Sequence, residues 1–399
     1  MDEDFYLCSN CANDIYLKNY ININATRQEK TCTVCKTNMV SINIDDNPRL
    51  NSFCRFLIRY HLPEYVYNPK WGGDNFPAPF FQENDIISHN FKDIDSREEE
   101  IEIFLDCLFN LNMHPFDDLY YGNDEHGKSL FMWSIKMKGS YYWKYYKREL
   151  IIKNYFLLKK KAIDEFKEIF ENYKFEIDID SVFNRARIGF DVHVDDLSDI
   201  IPIETKVPYK GNEISAPPIL KAKSGRLNRQ GVSYLYLSSS KDGAIGEVRP
   251  HPGHYVSVGK FKSNSKLLIA DLRFIDLFDY FDNDEKLKKF LFIKDISNEL
   301  FKTVLPDEQD HYLITQFISD IIRDLGYDGV TFESSVTDGY NLVVFDSTKF
   351  NFIDDSSDLL KIRELTYGID LVEYDYDSFV GQPIEKLKVY NNVNEKLSG

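Results

Sequence analysis

An α+β architecture is what this sequence predicts, and three observations carry the prediction. Cysteines near the start fall in two close pairs. Apolar residues then recur at helical spacing, and farther on short alternating runs are set between glycine loops and helix caps. These changes of pattern divide the chain into a cysteine-bearing ribbon at 1–45, a mostly helical segment at 46–175, a strand-and-helix domain at 176–355 and an extension at 356–399.

The first segment holds Cys8-x-x-Cys11 and Cys32-x-x-Cys35, with twenty residues between the pairs. Two tight turns at this spacing each present a sulfur pair, and the pairs close a tetrahedron around zinc. Disulfides are the competing reading, and the lack of a secretory signal argues against them. Four thiolates leave no position for water, so the expectation is a structural Zn2+ site that helps fold a segment too short for its own core. Cys54 and Cys107 have no partner at ligand spacing and read as packing residues.

In the second segment, Phe53, Leu57, Ile58 and Tyr60 predict one amphipathic helix and Glu98 to Leu111 another. Pro63, Pro69, Pro77, Pro79 and Gly72-Gly73 break the chain between them. Tyr141 to Lys161 reads as one long aromatic and basic helix, with Trp143, Tyr146, Leu150, Ile151, Tyr155 and Leu158 on one stripe. Its Lys and Arg residues read as a solvated face rather than a nucleic-acid contact.

The third segment opens on Phe183 to Gly189, a strand that places Arg185 and Arg187 on one face. The loop Gly225 to Gly231 leads into an alternating strand, Val232 to Leu237. Ser238, Ser239 and Ser240 can cap a helix that carries Glu247, and Ser239 and Asp242 have capping-box spacing. Lys266 to Leu272 predicts a core strand, followed by an acidic helical insert to about Leu305. A helix from His311 and strands at Gly329–Phe332 and Asn341–Phe345 complete the domain. The tail from Ser356, Leu365 to Tyr376 above all, mixes charge with β-prone residues and offers an edge strand.

The chain has 399 residues, 43% apolar, with 26 Tyr and 30 Phe, enough to build real cores. A formal net charge of −17 argues against a broad nucleic-acid footprint, which needs clustered positive charge. No uninterrupted apolar run reaches membrane-spanning length. The acidic start Met1-Asp2-Glu3-Asp4 lacks the regions of a signal peptide, so the expectation is a soluble, cytoplasmic protein with no membrane contact.

Pro217-Pro218, Gly225-Arg226-Leu227-Asn228, Gly231, Leu235-Tyr236-Leu237 and Ala244-Ile245-Gly246-Glu247-Val248 together follow one ordered pattern with its spacing intact. This pattern resembles the RES domain, a family of NAD-degrading enzymes, and the resemblance extends over roughly residues 178 to 350. It implies an ADP-ribosyltransferase-like fold: a small split β-sheet with helices around it and a cleft for NAD+ as substrate. The arginine, glutamate and serine of the family's name fall on Arg185, Glu247 and Ser334, with Tyr236 as a fourth catalytic member. Arg187 is the alternative to Arg185, and Ser335 the alternative to Ser334, because Glu333 stands where relatives often have Pro. Of the glycine motif, Arg226 is open to meeting a phosphate or bracing the loop, and Asn228 is implied as a further ligand contact.

The helical segment is similar to the HEPN-type domain that precedes RES in some bacterial proteins. HEPN ribonucleases use an Arg and a His on one helix, a spacing that Arg55 and His61 roughly satisfy, but a scaffolding role is the preferred reading. The family resemblance further implies a bacterial toxin or phage-defence effector restrained or triggered by a partner such as an antitoxin. A homo-oligomer is compatible with the sequence.

The residue types suit the implied reaction. Nicotinamide leaves as a neutral molecule from a cationic substrate, and the ribose it leaves becomes oxocarbenium-like. A fixed carboxylate, Glu247, stabilises that charge more in the transition state than in the ground state. Arg185 offers a planar fork for pyrophosphate or inorganic phosphate, Tyr236 a ring or hydroxyl for the nicotinamide end, and Ser334 a hydroxyl that orients a ligand. The expected activity is that of an NAD+ glycohydrolase or an NAD+ phosphorylase. Two rivals use the same residues: an ADP-ribosyltransferase acting on a macromolecule, and a nucleic-acid-binding protein whose RES domain is inactive.

Overall fold

A computed structural model describes residues 4–25, 29–111, 119, 132–195, 203–273, 275–301, 312–334, 336–337 and 339–366. The chain starts with β1 (Tyr6–Cys8), α1 (Ile15–Asn24), β2 (Glu29–Thr31) and β3 (Asn38–Asn43), and the strands form an antiparallel sheet in the order β1-β3-β2. Asp14 caps α1 by accepting from the Leu17 amide at 2.8 Å. Next come α2 (Pro48–His61), α3 (Glu64–Tyr67), α4 (Ile94–Leu108) and α5 (Ile135–Lys138). Asn47 caps α2 and Pro48 fills its first turn, where a missing N–H does no harm. Leu50, Phe53, Leu57 and Ile58 bury one face of α2.

These elements share one apolar core with the ribbon, and Leu277, Phe278, Leu287 and Phe290 from far along the chain enter it too. The ribbon's turns are held from outside: the Ser88 amide bonds the Cys11 carbonyl at 2.9 Å, the Lys92 amide the Val34 carbonyl at 3.1 Å, and Arg97 Nη2 the Thr33 carbonyl at 2.8 Å.

The helix expected over Tyr141–Lys161 is two: α6 (Tyr141–Ile152) and α7 (Tyr155–Phe170). The break has a local cause. Asn154 takes an extended conformation and its side chain accepts from the amides of Phe156 and Leu157, which starts a new helix. Trp143, Tyr146 and Leu150 of α6 and Leu158, Ala162 and Phe166 of α7 are buried in a second core.

The remaining strands are β4 (Lys174–Ile177), β5 (Val182–Ile188), β6 (Asp191–Asp195), β7 (Ile203–Val207), β8 (Leu235–Ser238), β9 (Tyr255–Ser263), β10 (Leu267–Asp271), β11 (Gly329–Glu333), β12 (Tyr340–Val344), β13 (Phe350–Phe352) and β14 (Asp358–Lys361). Between them lie α8 (Lys241–Glu247), α9 (Asp284–Phe301) and α10 (Tyr312–Asp324). β6 and β7 pair with each other. The others form one sheet, β13-β9-β5-β8-β12-β11-β10-β4, with β14 also on β9. β10 and β11 are parallel and the other neighbours antiparallel. β5 and β8 are joined at a single paired position, Asn184 with Ser238, whereas β5 pairs with β9 over its full length.

Several local expectations shift. β8 begins at Leu235 rather than Val232, because Asn228 Nδ2 holds the Val232 carbonyl at 2.9 Å and Ser233 Oγ is tied to the Pro217 carbonyl at 2.5 Å. Ser240, not Ser239, caps α8, accepting from the Gly243 amide at 3.0 Å; Ser239 Oγ accepts from the Tyr340 amide instead. The acidic insert holds α9, whose Phe292, Ile293, Ile296 and Leu300 are buried against α6, α7 and α10. An edge strand from the tail is present at β14, earlier than expected, and residues 367–376 lie outside the described part. No described helix is long and apolar enough to cross a membrane.

Candidate active site

A cleft of about 790 Å³ opens beside the junction of β5 and β8. β5, the loops before β8, α8 and β12 wall it. Among the described residues, Arg185, Arg187, Lys221, Lys223 and Arg226 bring five cations to it, against one carboxylate, Glu247. On a chain of net charge −17 that is a local inversion of sign, suited to an anionic ligand. Lys221 and Lys223, which the sequence reading passed over, are exposed and make no ion pair among the described residues.

Arg185 lies on β5 and crosses to β8. Its Nε donates to the Ile214 carbonyl and its Nη1 to the Tyr236 carbonyl, both at 2.7 Å. The second bond satisfies a carbonyl on the β8 edge where pairing with β5 stops. Desolvation, with Arg187 beside it, pulls the Arg185 pKa down to about 10, which leaves it charged at neutral pH. Two of its donors are thus engaged by the protein, and Nη2 remains. Arg187 is more exposed, bonds the Glu213 carbonyl and lies over the Tyr209 ring at 5.1 Å.

The glycine loop is organised by Asn228, which is buried. Its Nδ2 reaches the carbonyls of Lys223 and Val232 at 2.8 and 2.9 Å, and its Oδ1 accepts from the Tyr236 hydroxyl at 2.7 Å. Asn228 lines the cleft, and its amide group is engaged within the protein. Gln316 of α10 donates to Ser224 Oγ and to the carbonyls of Gly225 and Asn228. Arg226 bonds the Leu300 carbonyl, and its own carbonyl accepts from Thr315 Oγ1 at 2.5 Å. Burial raises the Tyr236 pKa, so this phenol stays protonated, its hydroxyl given to Asn228 and its ring left to line the cleft.

Glu247 ends α8 and is exposed at the cleft, with Oε1 accepting from Asn341 Nδ2 at 2.7 Å. A carboxylate at the C-terminal end of a helix faces the negative pole, a local penalty of about 0.3–1 kcal/mol. Asn341 is the residue the sequence reading missed; its one signal was a polar residue inside an otherwise apolar strand. Ser334 is buried in the turn after β11, its amide on the Gly339 carbonyl at 3.0 Å and its Oγ accepting from the Val336 amide at 3.4 Å. It is not among the residues that line the cleft, so the structure does not bring it to Arg185, Tyr236 and Glu247. Ser335 lies outside the described residues.

The sulfurs of Cys8, Cys11, Cys32 and Cys35 lie within 4.8 Å of one another, and none is in a disulfide. A tetrahedral zinc with Zn–S of about 2.3 Å sets its sulfurs roughly 3.8 Å apart, and Cys8 Sγ to Cys35 Sγ is 3.9 Å. The donor set fits zinc. Of the two residues at HEPN-like spacing, Arg55 Nη1 bonds the Asn110 carbonyl at 3.3 Å, while His61 is held between Asp14 at 2.8 Å and Asp85 at 3.2 Å. On α6, Lys147 pairs with Glu299 at 4.0 Å and Arg148 with Glu149 at 3.3 Å. His251 and His254 are exposed in the loop after α8, the His251 amide bonding His254 Nδ1 at 3.1 Å.

No curated protein matches the chain. One solved structure similar to it is the M. tuberculosis MbcT-MbcA toxin-antitoxin complex, at 11% identity and a TM-score of 0.27, covering 49% of this chain and 91% of that one. The family model described as the RES domain matches residues 205–369, a span that begins after Arg185 and Arg187 and includes the glycine loop, Tyr236, Glu247 and Asn341. This chain carries a RES domain at residues 205–369.

Proposed function

We propose that the protein degrades NAD+ by cleaving the bond between nicotinamide and ribose, with water or inorganic phosphate as acceptor, and that it acts as a toxin held by a partner. The observation that carries this reading is that, among the described residues, Glu247 is the one carboxylate in a cleft otherwise furnished with five cations and the Tyr236 ring. The cations suit the pyrophosphate, and the ring suits the flat nicotinamide. The single contact between β5 and β8 is consistent with the split sheet of the ADP-ribosyltransferase-like fold.

In this mechanism the C1″–N bond breaks and its electron pair leaves with nicotinamide, which becomes neutral. Glu247 faces the positive charge that develops on the ribose. The acceptor oxygen then bonds to C1″; water loses a proton in doing so, whereas dianionic phosphate loses none. The four N-terminal thiolates would hold zinc in a structural role, fixing the ribbon's two turns. A toxin-antitoxin setting and an antitoxin-like partner follow from the RES resemblance.

The test is mass-resolved NAD+ turnover by wild type and Glu247→Gln, with and without inorganic phosphate. The variant keeps the size and the Asn341 contact but loses the charge, and a fall of about 100-fold or more is expected. ADP-ribose in both buffers marks a hydrolase, and ADP-ribose-1″-phosphate a phosphorylase. Equal turnover by both proteins would sink the assignment.

A further inference from the structure

Glu247 is poorly supported by its own element. It closes a seven-residue helix, faces solvent, and carries its charge at the unfavourable end. Among the described residues, Asn341 Nδ2 is the one hydrogen-bond donor to its carboxylate. Asn341 itself is in a rigid place. It is 4% exposed, on β12, with Ser238 of β8 opposite on one side and Phe332 of β11 on the other.

Asn341 is also a costly residue for that place. Leu342, Val343 and Val344 after it are buried and apolar, and asparagine is disfavoured in strands. Its Oδ1 is buried with no hydrogen-bond partner among the described residues, and such an unmet acceptor costs about 1–3 kcal/mol. An apolar residue would serve the sheet better. What the amide supplies in return is the donor to Glu247.

We propose that Asn341 is a positioning residue for the reaction: from a fixed strand it anchors Oε1 of Glu247, so that Oε2 is presented to the cleft in one orientation. This rests on the NAD+-cleaving reading, in which Glu247 must meet a charge that exists only in the transition state. A freely rotating side chain would spend most of its time elsewhere.

Asn341→Leu removes the donor and the unmet acceptor together. The expected result is a melting temperature equal to or above wild type, a kcat lower by about 10- to 100-fold and a KM little changed. That split is the mark of lost positioning, because the groups that would bind the substrate, Arg185, Arg187, Lys221, Lys223, Arg226 and Tyr236, face the same cleft in both proteins.

An unchanged kcat in Asn341→Leu would overturn the inference. So would a lower melting temperature with full activity per folded molecule, the mark of a purely structural residue. The nitrogen-15 signal of the Asn341 side-chain amide, compared between wild type and Glu247→Ala, gives a readout that needs no turnover. If wild type leaves NAD+ intact, the functional reading falls, and that signal still decides whether Asn341 holds Glu247; an unmoved signal would end the proposal.

Discussion

Gly225 shows how closely the cleft's residues are fitted. A Cβ placed there would meet Asn228 Oδ1 at 2.5 Å and the Tyr236 hydroxyl at 3.0 Å, the two atoms that bond each other. Neither atom is the loose end of a long side chain, because Asn228 is pinned by three backbone carbonyls and Tyr236 stands on a strand. Glycine is thus required by close approach. Gly225→Ala is expected to push the Asn228 amide off its bonds, lowering stability by about 1–3 kcal/mol and raising the KM for NAD+ at least severalfold. Denaturant unfolding and steady-state kinetics on the same preparation check both. Wild-type values in each would mean that the loop can yield, contrary to its hydrogen bonding.

Among the elements, the glycine loop depends on helices far from it in sequence. Arg229 pairs with Asp320 of α10 at 2.7 Å, and Asp320 also accepts from the Tyr155 hydroxyl of α7 at 2.6 Å, while the Arg229 guanidinium lies 4.9 Å from the Tyr155 ring. Asp320 is buried, and these two donors satisfy its side chain there. Tyr155→Phe keeps the ring and removes one donor. It should cost about 1–2 kcal/mol of stability and loosen the loop, raising KM severalfold with kcat nearly intact. Thermal unfolding with NAD+ kinetics measures this; a loss confined to kcat would place Tyr155 in the chemistry instead.

The same elements show what a sequence can and cannot tell. β10, β11, β12 and α10 were legible, because apolar runs and helical spacing are local properties of the chain. The start of β8, the choice of Ser240 over Ser239 as the cap and the buttressing of the loop were not. Each turns on a hydrogen bond to a residue outside the element itself: Ser233 to Pro217, Ser239 to Tyr340 and Gln316 to Gly225. Asn341 escaped notice for the same reason: its partner, Glu247, is ninety-four positions away. Tyr236 and Glu247 were legible through the motif, and both line the cleft; Ser334 was placed by the same motif and does not.

At the scale of the molecule, α9 joins the ribbon and front helices to the sheet that bears the cleft. Its Phe290 lies in the first core, and its Phe292, Ile293 and Ile296 in the second. Lys294 is carried into this joint. Its Nζ lies 4.9 Å from the Tyr60 ring, 5.4 Å from the Tyr16 ring and 5.9 Å from the Phe290 ring, and it bonds the Tyr60 hydroxyl. Burial, with Lys136 adding to it and Asp14 and Asp295 opposing, lowers its pKa to about 8.

The unfolded chain keeps that proton up to the ordinary lysine range, whereas the folded chain releases it near pH 8. Between those values the unfolded state binds more protons, so this group's contribution makes stability rise with pH across that window; below it the penalty for holding a buried charge is present in full. Lys294→Met fills the same space without the charge. It is expected to raise the melting temperature at pH 7, with an advantage over wild type that shrinks between pH 8 and 10. Because α9 belongs to both cores, the gain should appear in one cooperative transition reported alike by Tyr16 near the ribbon and Trp143 on α6. A gain independent of pH would assign the effect to packing alone, and separate transitions would show that α9 does not couple the two cores.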